Sequence, residues 1–198
     1  TVVIPDTNFK AYLVGNTAIN TSGDAEIQCS EAIAFTGMID CTNSSISDLT
    51  GIETFTSLTR LSCGNNLLTT LDVTQNTDLT YISCSGNSIS ALDLSQCSTL
   101  DTLYCYLNSL TSLDVSQNPA LSEFLCNDNL LTSLDVSQNP NINDLWCKDN
   151  QLIFLNLANG NNTNVGALYA QNNPNLTCIQ VDDAAYSTSN WPFIDATA

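Results

Sequence analysis

The decapeptide LTSLDVSQNP occupies residues 110–119 and recurs, letter for letter, at residues 131–140. The two copies begin 21 residues apart, and the chain around them keeps this period. Rows of 21 residues that begin at positions 58, 79, 100, 121 and 142 align without an insertion. A looser row precedes them at a 22-residue spacing, and another follows with one extra residue near Pro174. Self-similarity at such a period indicates a solenoid of stacked repeats.

Each row has the pattern LxxLxCxxNxLxxLDVSxN, which predicts strands. In LSEFLC (121–126), alternation places Phe124 and Cys126 on one face and Leu125 on the other. The ten residues after the first eleven of a row are too few for a return helix, so the LDV segment predicts a second, shorter strand. We therefore expect a mostly β solenoid of about seven short coils, with a parallel sheet on the concave face, short strands on the convex face and a small helical N-terminal cap.

Asparagine, cysteine and aspartate each recur at a fixed position of the rows. The asparagine follows the first strand, where its amide can satisfy backbone groups of neighbouring turns and form a ladder. The cysteine takes an inward position, which favours buried, unpaired thiols over a metal or redox ladder. The aspartate favours hydrogen bonds to backbone N–H groups over a lattice of cations. The three columns are Asn66, Asn87, Asn108, Asn129 and Asn150; Cys63, Cys84, Cys105, Cys126 and Cys147; and Asp72, Asp93, Asp114 and Asp135.

The rows resemble the leucine-rich repeat, and the cysteine in place of the third leucine, with LDV in the second half, resembles the 21-residue bacterial class called IRREKO. The opening IPDTNFKAYLVGNTAIN and the ending NPNLTCIQVDDAAYSTSNWPFIDATA resemble the flanks of secreted leucine-rich-repeat proteins of marine Bacteroidetes. The resemblance implies a leucine-rich-repeat solenoid that is secreted or held at the cell surface. It also implies that the solenoid binds a ligand, whose identity the fold does not specify.

The segments that flank the rows predict caps over the two ends of the core, within one structural domain. Residues 1–36 are predicted to form an N-terminal helical cap, 37–181 the repeats, and 182–198 a C-terminal cap. Asp6 and Thr7 precede apolar residues at helical spacing, and Ser30 is a candidate N-cap of a second helix. At the other end, Trp191, Phe193 and Ile194 are expected to cover the last coil.

One loop of the N-terminal cap, NTSGDAEIQCSE (20–31), resembles an EF-hand calcium loop. Oxygen-bearing residues alternate along it, and a glutamate stands at its twelfth position. It departs from the motif at Asn20, which replaces the leading Asp, and at Ala25, where the turn takes Gly. The loop predicts calcium as a cofactor, and the alternative is a polar loop that leads into a helix. The predicted ligands are Asn20, Ser22, Asp24, Glu26 and Glu31.

Charge narrows the range of partners. Twenty Asp and Glu residues against three Lys and Arg residues give a formal net charge of −17 at pH 7, which repels nucleic acid and anionic membrane surfaces. No apolar run reaches the length of a membrane span, so we expect no membrane insertion. The absence of histidine removes the commonest general base. We expect a monomer whose partners are neutral or cationic.

Large apolar and aromatic residues take outward positions of the concave face from the third complete row onward, next to acidic residues. An exposed apolar patch with a polar rim is typical of an interaction site. The sequence therefore predicts an extracellular module that binds an extended glycan or protein on this face. The predicted ligand-binding residues are Tyr81, Tyr104, Tyr106, Leu125, Trp146, Tyr169, Glu123 and Asp144.

Two other functions compete with ligand binding. A glycosidase would need two carboxylates roughly 5–10 Å apart in a cleft, and Glu123 and Asp144 are close enough for that. A smooth solenoid face, however, offers no pocket that would raise the pKa of one of them, so we expect no enzyme. The remaining alternative is a structural or adhesive spacer of a larger secreted protein, without a ligand of its own.

Overall fold

In the computed structural model, which describes residues 1–192 and 194, three-residue strands recur at the period of the rows. The helices are α1 (Thr7–Gly15), α2 (Cys29–Ala34) and α3 (Ala184–Asn190), with short 3-10 helices at Ile52–Thr54 and Asn162–Asn164. The strands are β1 (Met38–Asp40), β2 (Arg60–Ser62), β3 (Tyr81–Ser83), β4 (Thr102–Tyr104), β5 (Glu123–Leu125), β6 (Ser133–Asp135), β7 (Asp144–Trp146), β8 (Phe154–Asn156), β9 (Ala167–Tyr169) and β10 (Ile179–Gln180).

Seven strands pair in parallel to form the front sheet, in the order β1-β2-β3-β4-β5-β7-β9. The predicted parallel-sheet solenoid of about seven coils is thereby confirmed. The register follows the 21-residue row through the middle of the sheet, where Tyr81 pairs with Thr102 and Thr102 with Glu123. Trp146 pairs with Tyr169, which lies 23 residues further on. Two extra residues therefore precede β9, near the second 3-10 helix, and the alignment of the rows missed them.

A second, smaller sheet lies on the back of the last coils. Strands β6, β8 and β10 pair in parallel, with Leu134 opposite Leu155 and Leu155 opposite Ile179. The predicted back strands therefore form at the C-terminal end of the stack. In the earlier rows the equivalent segments, 71–73, 92–94 and 113–115, are not strands. Their neighbouring coils are joined through the front sheet and through side chains.

The core lies between the two sides of the coil. The middle residue of each front strand from β1 to β9 is buried, as with Leu103, Phe124 and Leu145. The cysteine column lies beside this row, and all nine cysteines, each within the described residues, are free thiols. Burial raises the pKa of Cys84 and of Cys147 to about 12, so these thiols stay protonated and pack as small apolar groups. The prediction of buried, unpaired thiols is confirmed for this column.

The turn asparagines form the predicted ladder between coils. In one step of it, Asn129 Oδ1 accepts the backbone N–H of Leu110 in the preceding coil at 2.9 Å. Its Nδ2 donates to the carbonyl oxygens of Cys105 in that coil and Cys126 in its own, both at 3.1 Å. One amide therefore satisfies backbone groups of two turns at once. The same pattern is made by Asn66, Asn87, Asn108, Asn150 and, in the last coil, Asn173.

A second row of buried asparagines links the turns at the other end of the coil. This row was not predicted from the sequence. Asn118 Nδ2 donates to the carbonyl oxygens of Leu94 and Cys97, at 3.0 and 2.8 Å. Asn76 and Asn139 make equivalent pairs of bonds with their preceding coils. In the row between Asn76 and Asn118 this position is Cys97, whose Sγ lies 3.9 and 4.0 Å from the carbonyl oxygens of the preceding coil.

Replacing that thiol by an amide should therefore stabilise the stack. In Cys97→Asn, Nδ2 can donate to the Val73 and Asn76 carbonyl oxygens, which now face a weak thiol donor. We expect the free energy of unfolding to rise by up to about 1 kcal/mol, or the melting temperature by up to roughly 2–4 °C. The two new hydrogen bonds outweigh the cost of burying Oδ1, which has no donor among the described residues in the equivalent Asn76, Asn118 and Asn139. The converse change, Asn118→Cys, should lower both by a similar amount. A thermal melt in which Cys97→Asn is no more stable than the wild type would contradict a stabilising role for this second ladder.

The aspartate column lies at the back turn, where each carboxylate binds its own chain. Asp93 Oδ1 accepts the backbone N–H of Ser95, and Asp114 Oδ1 that of Ser116, both at 2.9 Å. The hydrogen bond from the Ser95 backbone holds the pKa of Asp93 below its ordinary value. Asp72 and Asp135 make the same bond. The prediction that these carboxylates serve the backbone of the turn is confirmed.

Helices close the N-terminal end of the stack. Asp6 caps α1 by accepting the N–H groups of Asn8 and Phe9, as its position in the sequence predicts. The prediction of Ser30 as the N-cap of α2 is wrong. The helix begins at Cys29 with Gln28 as its N-cap residue, because the Glu31 carboxylate bonds the Gln28 N–H and fixes the start there.

At the C-terminal end, α3 leads to Trp191, which is buried and donates from Nε1 to the Val165 carbonyl oxygen at 3.3 Å. Ile194 packs, partly buried, against the core. The predicted contact of Phe193 lies outside the described residues. Across the part of the chain that the structure describes, no helix is both long and apolar enough to cross a membrane.

Candidate binding face

The outward side chains of the front sheet include a continuous row of large residues. Tyr104, Leu125, Trp146 and Tyr169 occupy the same position of β4, β5, β7 and β9 and are register partners from one strand to the next. All four are half-buried. We call the surface formed by these four residues together with Tyr81 and Tyr106 the front strip. The structure thus brings together the six aromatic and apolar residues that the sequence predicted for ligand binding.

The rings of the front strip pack on one another. Tyr81 and Tyr104 meet edge to face, with their ring centroids 5.7 Å apart and an interplanar angle of 80°. Trp146 and Tyr169 are closer, at 4.7 Å, and tilted by 52°. At the N-terminal end of the strip, Arg60 Cζ lies 4.5 Å from the Tyr81 ring centroid. Leu125 fills the position between the two aromatic pairs, so the strip is a fixed apolar track.

An acidic pair, Glu123 and Asp144, lies directly beside the strip. The two residues are register partners on β5 and β7. Each accepts a hydrogen bond from an aromatic residue of the strip: Tyr104 Oη donates to Glu123 Oε2, and Trp146 Nε1 donates to Asp144 Oδ1 at 2.7 Å. The sequence predicted the closeness of the two carboxylates, but it gave no signal for these hydrogen bonds.

Glu123 also affects the electrostatics of Asp144. Burial raises the pKa of Asp144, and the charge of Glu123 raises it further, in opposition to the Trp146 hydrogen bond. The hydrogen bond to Glu123 raises the pKa of Tyr104, which keeps that hydroxyl protonated as a donor. The surface therefore combines aromatic faces with negative charge that is held in place.

Leu107, next to Tyr106 at the edge of the strip, departs from the repeat in a way that only the structure shows. Its φ is 55°, in the left-handed region, and its side chain is 53% exposed. The equivalent turn residues of the other coils also have positive φ, and they are residues that tolerate it: Asn43, Asn65, Gly86, Asp128, Asp149 and Asn172. Leucine in this conformation is strained and buries little apolar surface, so the fold itself gives no reason for it.

We predict that Leu107→Asn stabilises the protein, because asparagine adopts the left-handed conformation at lower cost and polar surface replaces exposed apolar surface. The expected gain is about 1 kcal/mol in the free energy of unfolding, seen as a rise of roughly 2–4 °C in the melting temperature. Leu130→Asn is the matched control, because Leu130 is also exposed but does not have positive φ. Equal shifts for the two variants would show that strain at Leu107 is not the cause.

The loop predicted to bind calcium is closed by its own hydrogen bonds. Glu31 Oε1 accepts the Ser22 N–H at 2.7 Å, and Glu31 Oε2 accepts the Gln28 N–H at 2.8 Å. Asn20 Oδ1 accepts the Gly23 N–H. The hydrogen bonds from the Gln28 and Ser22 backbone lower the pKa of Glu31 to about 2. The stabilisation from this carboxylate is therefore complete above its ordinary pKa of 4.5 and is lost as the pH falls towards 2.

The other two predicted ligands are also engaged. Asp24 Oδ1 accepts the Glu26 N–H at 2.8 Å, and Glu26 Oε1 pairs with Lys10 Nζ at 2.6 Å. Within the described residues, no group of three or more acidic, histidine or cysteine side chains is arranged to hold a metal ion. In this conformation the five predicted ligands thus bind protein groups. Calcium binding stays a prediction, and a cation would have to replace several of these hydrogen bonds.

Thermal melting tests that prediction directly. If calcium binds the folded loop, millimolar calcium should raise the melting temperature of the wild type above its value in chelator, because the cation binds the native state alone. Glu31→Gln removes the charge at the centre of the loop and should abolish the rise. It should also melt below the wild type in chelator, since the carboxylate bonds backbone N–H groups without metal. Identical wild-type curves in calcium and in chelator would leave the loop as a purely protein-bonded cap.

No protein-family model matches the chain. A 73-residue stretch, 37% of the chain, is 42% identical to internalin J of Listeria monocytogenes serotype 4b and spans 8% of that protein. Among solved structures, a leucine-rich-repeat protein of Leptospira interrogans superimposes with a TM-score of 0.59 at 22% identity, over 73% of this chain and 38% of that one. An internalin of Listeria monocytogenes, InlF, gives a TM-score of 0.57 at 20% identity, over 78% of this chain and 51% of that one.

These likenesses fix the fold. The chain spans less than two thirds of the length of each of these relatives. At 22% and 20% identity, the two solved structures show a shared fold and no more. The likeness to secreted proteins of marine Bacteroidetes stays a prediction. What the comparisons and the coordinates together establish is a leucine-rich-repeat solenoid, and the proteins it resembles are two internalins and a further leucine-rich-repeat protein.

Proposed function

We propose that the front strip binds an extended ligand outside the cell, and that this ligand is a segment of another protein in preference to a glycan. The observation that carries the proposal is the unbroken column of Tyr104, Leu125, Trp146 and Tyr169 on four neighbouring strands. Large aromatic side chains of this kind dominate the energetics of interfaces. The similarity to leucine-rich-repeat proteins supports a role in protein recognition. The similarity to internalins also supports a location at the cell surface or outside the cell.

The repeats themselves act as an internal comparison. In the first complete rows the same column holds Ser62 and Ser83, which fit the fold equally well. The change from serine to large residues in the later coils is therefore not required by packing. It extends along the stack, which suits a ligand that lies across several coils. The alternative function is a spacer without a ligand. Such a spacer would not require serine in the early coils and large residues in the later ones.

Catalysis has little support on this face. The premise that neither carboxylate would have a raised pKa is wrong, because burial and the charge of Glu123 raise the pKa of Asp144. Both carboxylates are nevertheless bonded to the strip, by Tyr104 and Trp146. The leucine-rich-repeat neighbours likewise give no support for an enzyme. The proposed role is therefore binding alone.

The proposal predicts that Trp146 is the anchor of the interface. The wild type is first screened for binders in a displayed library of random peptides and in a panel of neutral and anionic polysaccharides. The affinity of each binder is then measured for the wild type and for variants. We expect Trp146→Ala to weaken binding by at least tenfold, since losing a central aromatic anchor typically costs about 2 kcal/mol or more. Leu67→Ala is the matched control, because Leu67 is an exposed apolar residue outside the front strands and should change affinity by less than about twofold.

The outcomes separate the possibilities. A polysaccharide whose affinity depends on Trp146 would keep the site and change the ligand to a glycan. Ligands whose affinity ignores both Trp146 and Tyr104 would place the site on the back or the caps. If neither collection yields a binder, the spacer function is favoured.

A further inference from the structure

Hydrogen-bond acceptors without partners lie on both edges of the front strip. On one edge, Glu123 Oε1 and Asp144 Oδ2 accept no hydrogen bond from any described residue, whereas the other oxygen of each carboxylate is bonded. On the opposite edge, the side-chain oxygens of Asn127 and Gln171 are buried and also lack a donor among the described residues. Asn127 is only 8% exposed. Side-chain oxygens of Asn76, Asn118 and Asn139 in the core of the stack are unpaired in the same way, so the acceptors that a ligand can complete are those of the acidic pair.

The acidic pair has no counter-ion from its own chain. Lys10 is paired with Glu26 in the N-terminal cap, and Lys148 with Asp149 at 3.1 Å. Arg60, the third and last basic residue of the sequence, lies over the Tyr81 ring. Glu123 and Asp144 therefore remain two neighbouring negative charges at a half-buried position. Their mutual repulsion would be relieved by a cation placed between them.

The rings beside the pair suit the same kind of group. Tyr104 and Trp146 each hold one carboxylate oxygen, so a cation that reaches the free oxygens lies next to two aromatic side chains. Guanidinium and ammonium groups are attracted to the faces of aromatic rings. The chain already shows this contact once on the same sheet, where Arg60 Cζ stands 4.5 Å from the Tyr81 ring centroid.

We infer that the partner of the front strip is an extended protein segment with a basic side chain, and that Glu123 and Asp144 receive the guanidinium or ammonium group between Tyr104 and Trp146. The inference rests on the proposed function and narrows the class of its ligand. It selects against acidic segments and anionic polysaccharides, since both would bring negative charge to the pair.

The test uses three labelled peptides of equal length that alternate glycine with arginine, lysine or glutamate, titrated against the full chain by fluorescence anisotropy at physiological salt. We expect the arginine and lysine peptides to bind and the glutamate peptide not to bind. The double variant Glu123→Gln/Asp144→Asn should weaken binding of the arginine peptide by at least tenfold. Asp93→Asn/Asp114→Asn removes the same two charges from exposed positions of the back turn and should weaken binding by less than about twofold.

Trp146→Ala, which leaves the net charge unchanged, should also weaken binding by at least tenfold. Circular dichroism and the melting curve of each variant establish that it is folded. Equal losses for the front and back double variants would show that only overall charge attracts the peptide and would overturn the inference. So would the absence of binding by both basic peptides. In that case the proposed function is still decided separately by uncharged peptide ligands whose affinity depends on Trp146.

Discussion

The structure depends on one hydrogen-bonding constraint, which is that the buried backbone groups of each turn need partners, and the turn asparagine supplies them both within its own coil and in the preceding one. Asn129 shows how this is done, since its single amide bonds Leu110 N–H, Cys105 C=O and Cys126 C=O. Without that side chain the Leu110 N–H would lose its partner, at a cost of about 1–3 kcal/mol. The carbonyl oxygens of Cys105 and Cys126 would each lose one of two amide donors and keep the other, from Asn108 and Asn150. The ladder therefore fixes the spacing of the coils, and the parallel register of the front sheet and the column of inward cysteines follow from it.

Because the ladder and the core hold every coil in the same way, the outward positions are free to differ from coil to coil. In the front strip, the outward residues do differ from coil to coil. Ser83 and Tyr104 occupy equivalent places in neighbouring strands, yet only the second forms a ring contact and bonds a carboxylate. Departures from the repeat are thus what supports the proposed binding function, since the repeat itself accounts for stability. The strained Leu107 belongs to the same group of departures, next to Tyr106.

The sequence predicted what depends on period and alternation. The solenoid, the parallel sheet, the inward thiols, the asparagine ladder and the outward column of Trp146 all follow from the repeat of 21 residues and from the two faces of a strand. It did not predict what depends on local backbone or on side-chain rotamers. The two extra residues before β9 lie in an asparagine-rich segment that aligns poorly with the rows, and α2 begins at Cys29 because the Glu31 carboxylate accepts the Gln28 N–H. Neither of these has a periodic signature.

The loop predicted to bind calcium shows the same limit of sequence-based prediction. Alternating oxygen-bearing residues are required by an EF-hand, but they are equally suited to a loop that satisfies its own N–H groups. Glu31 bonds two backbone amides at 2.7 and 2.8 Å, and such bonds are the protein counterpart of the contacts that a cation would make with the same oxygens. The carboxylates on the front face are satisfied less completely, because Glu123 and Asp144 keep one oxygen each without a donor in the described chain. Glu31 and the back-turn aspartates therefore bond N–H groups of their own fold, whereas the pair beside Trp146 keeps one oxygen of each carboxylate for the basic group that we propose a ligand supplies.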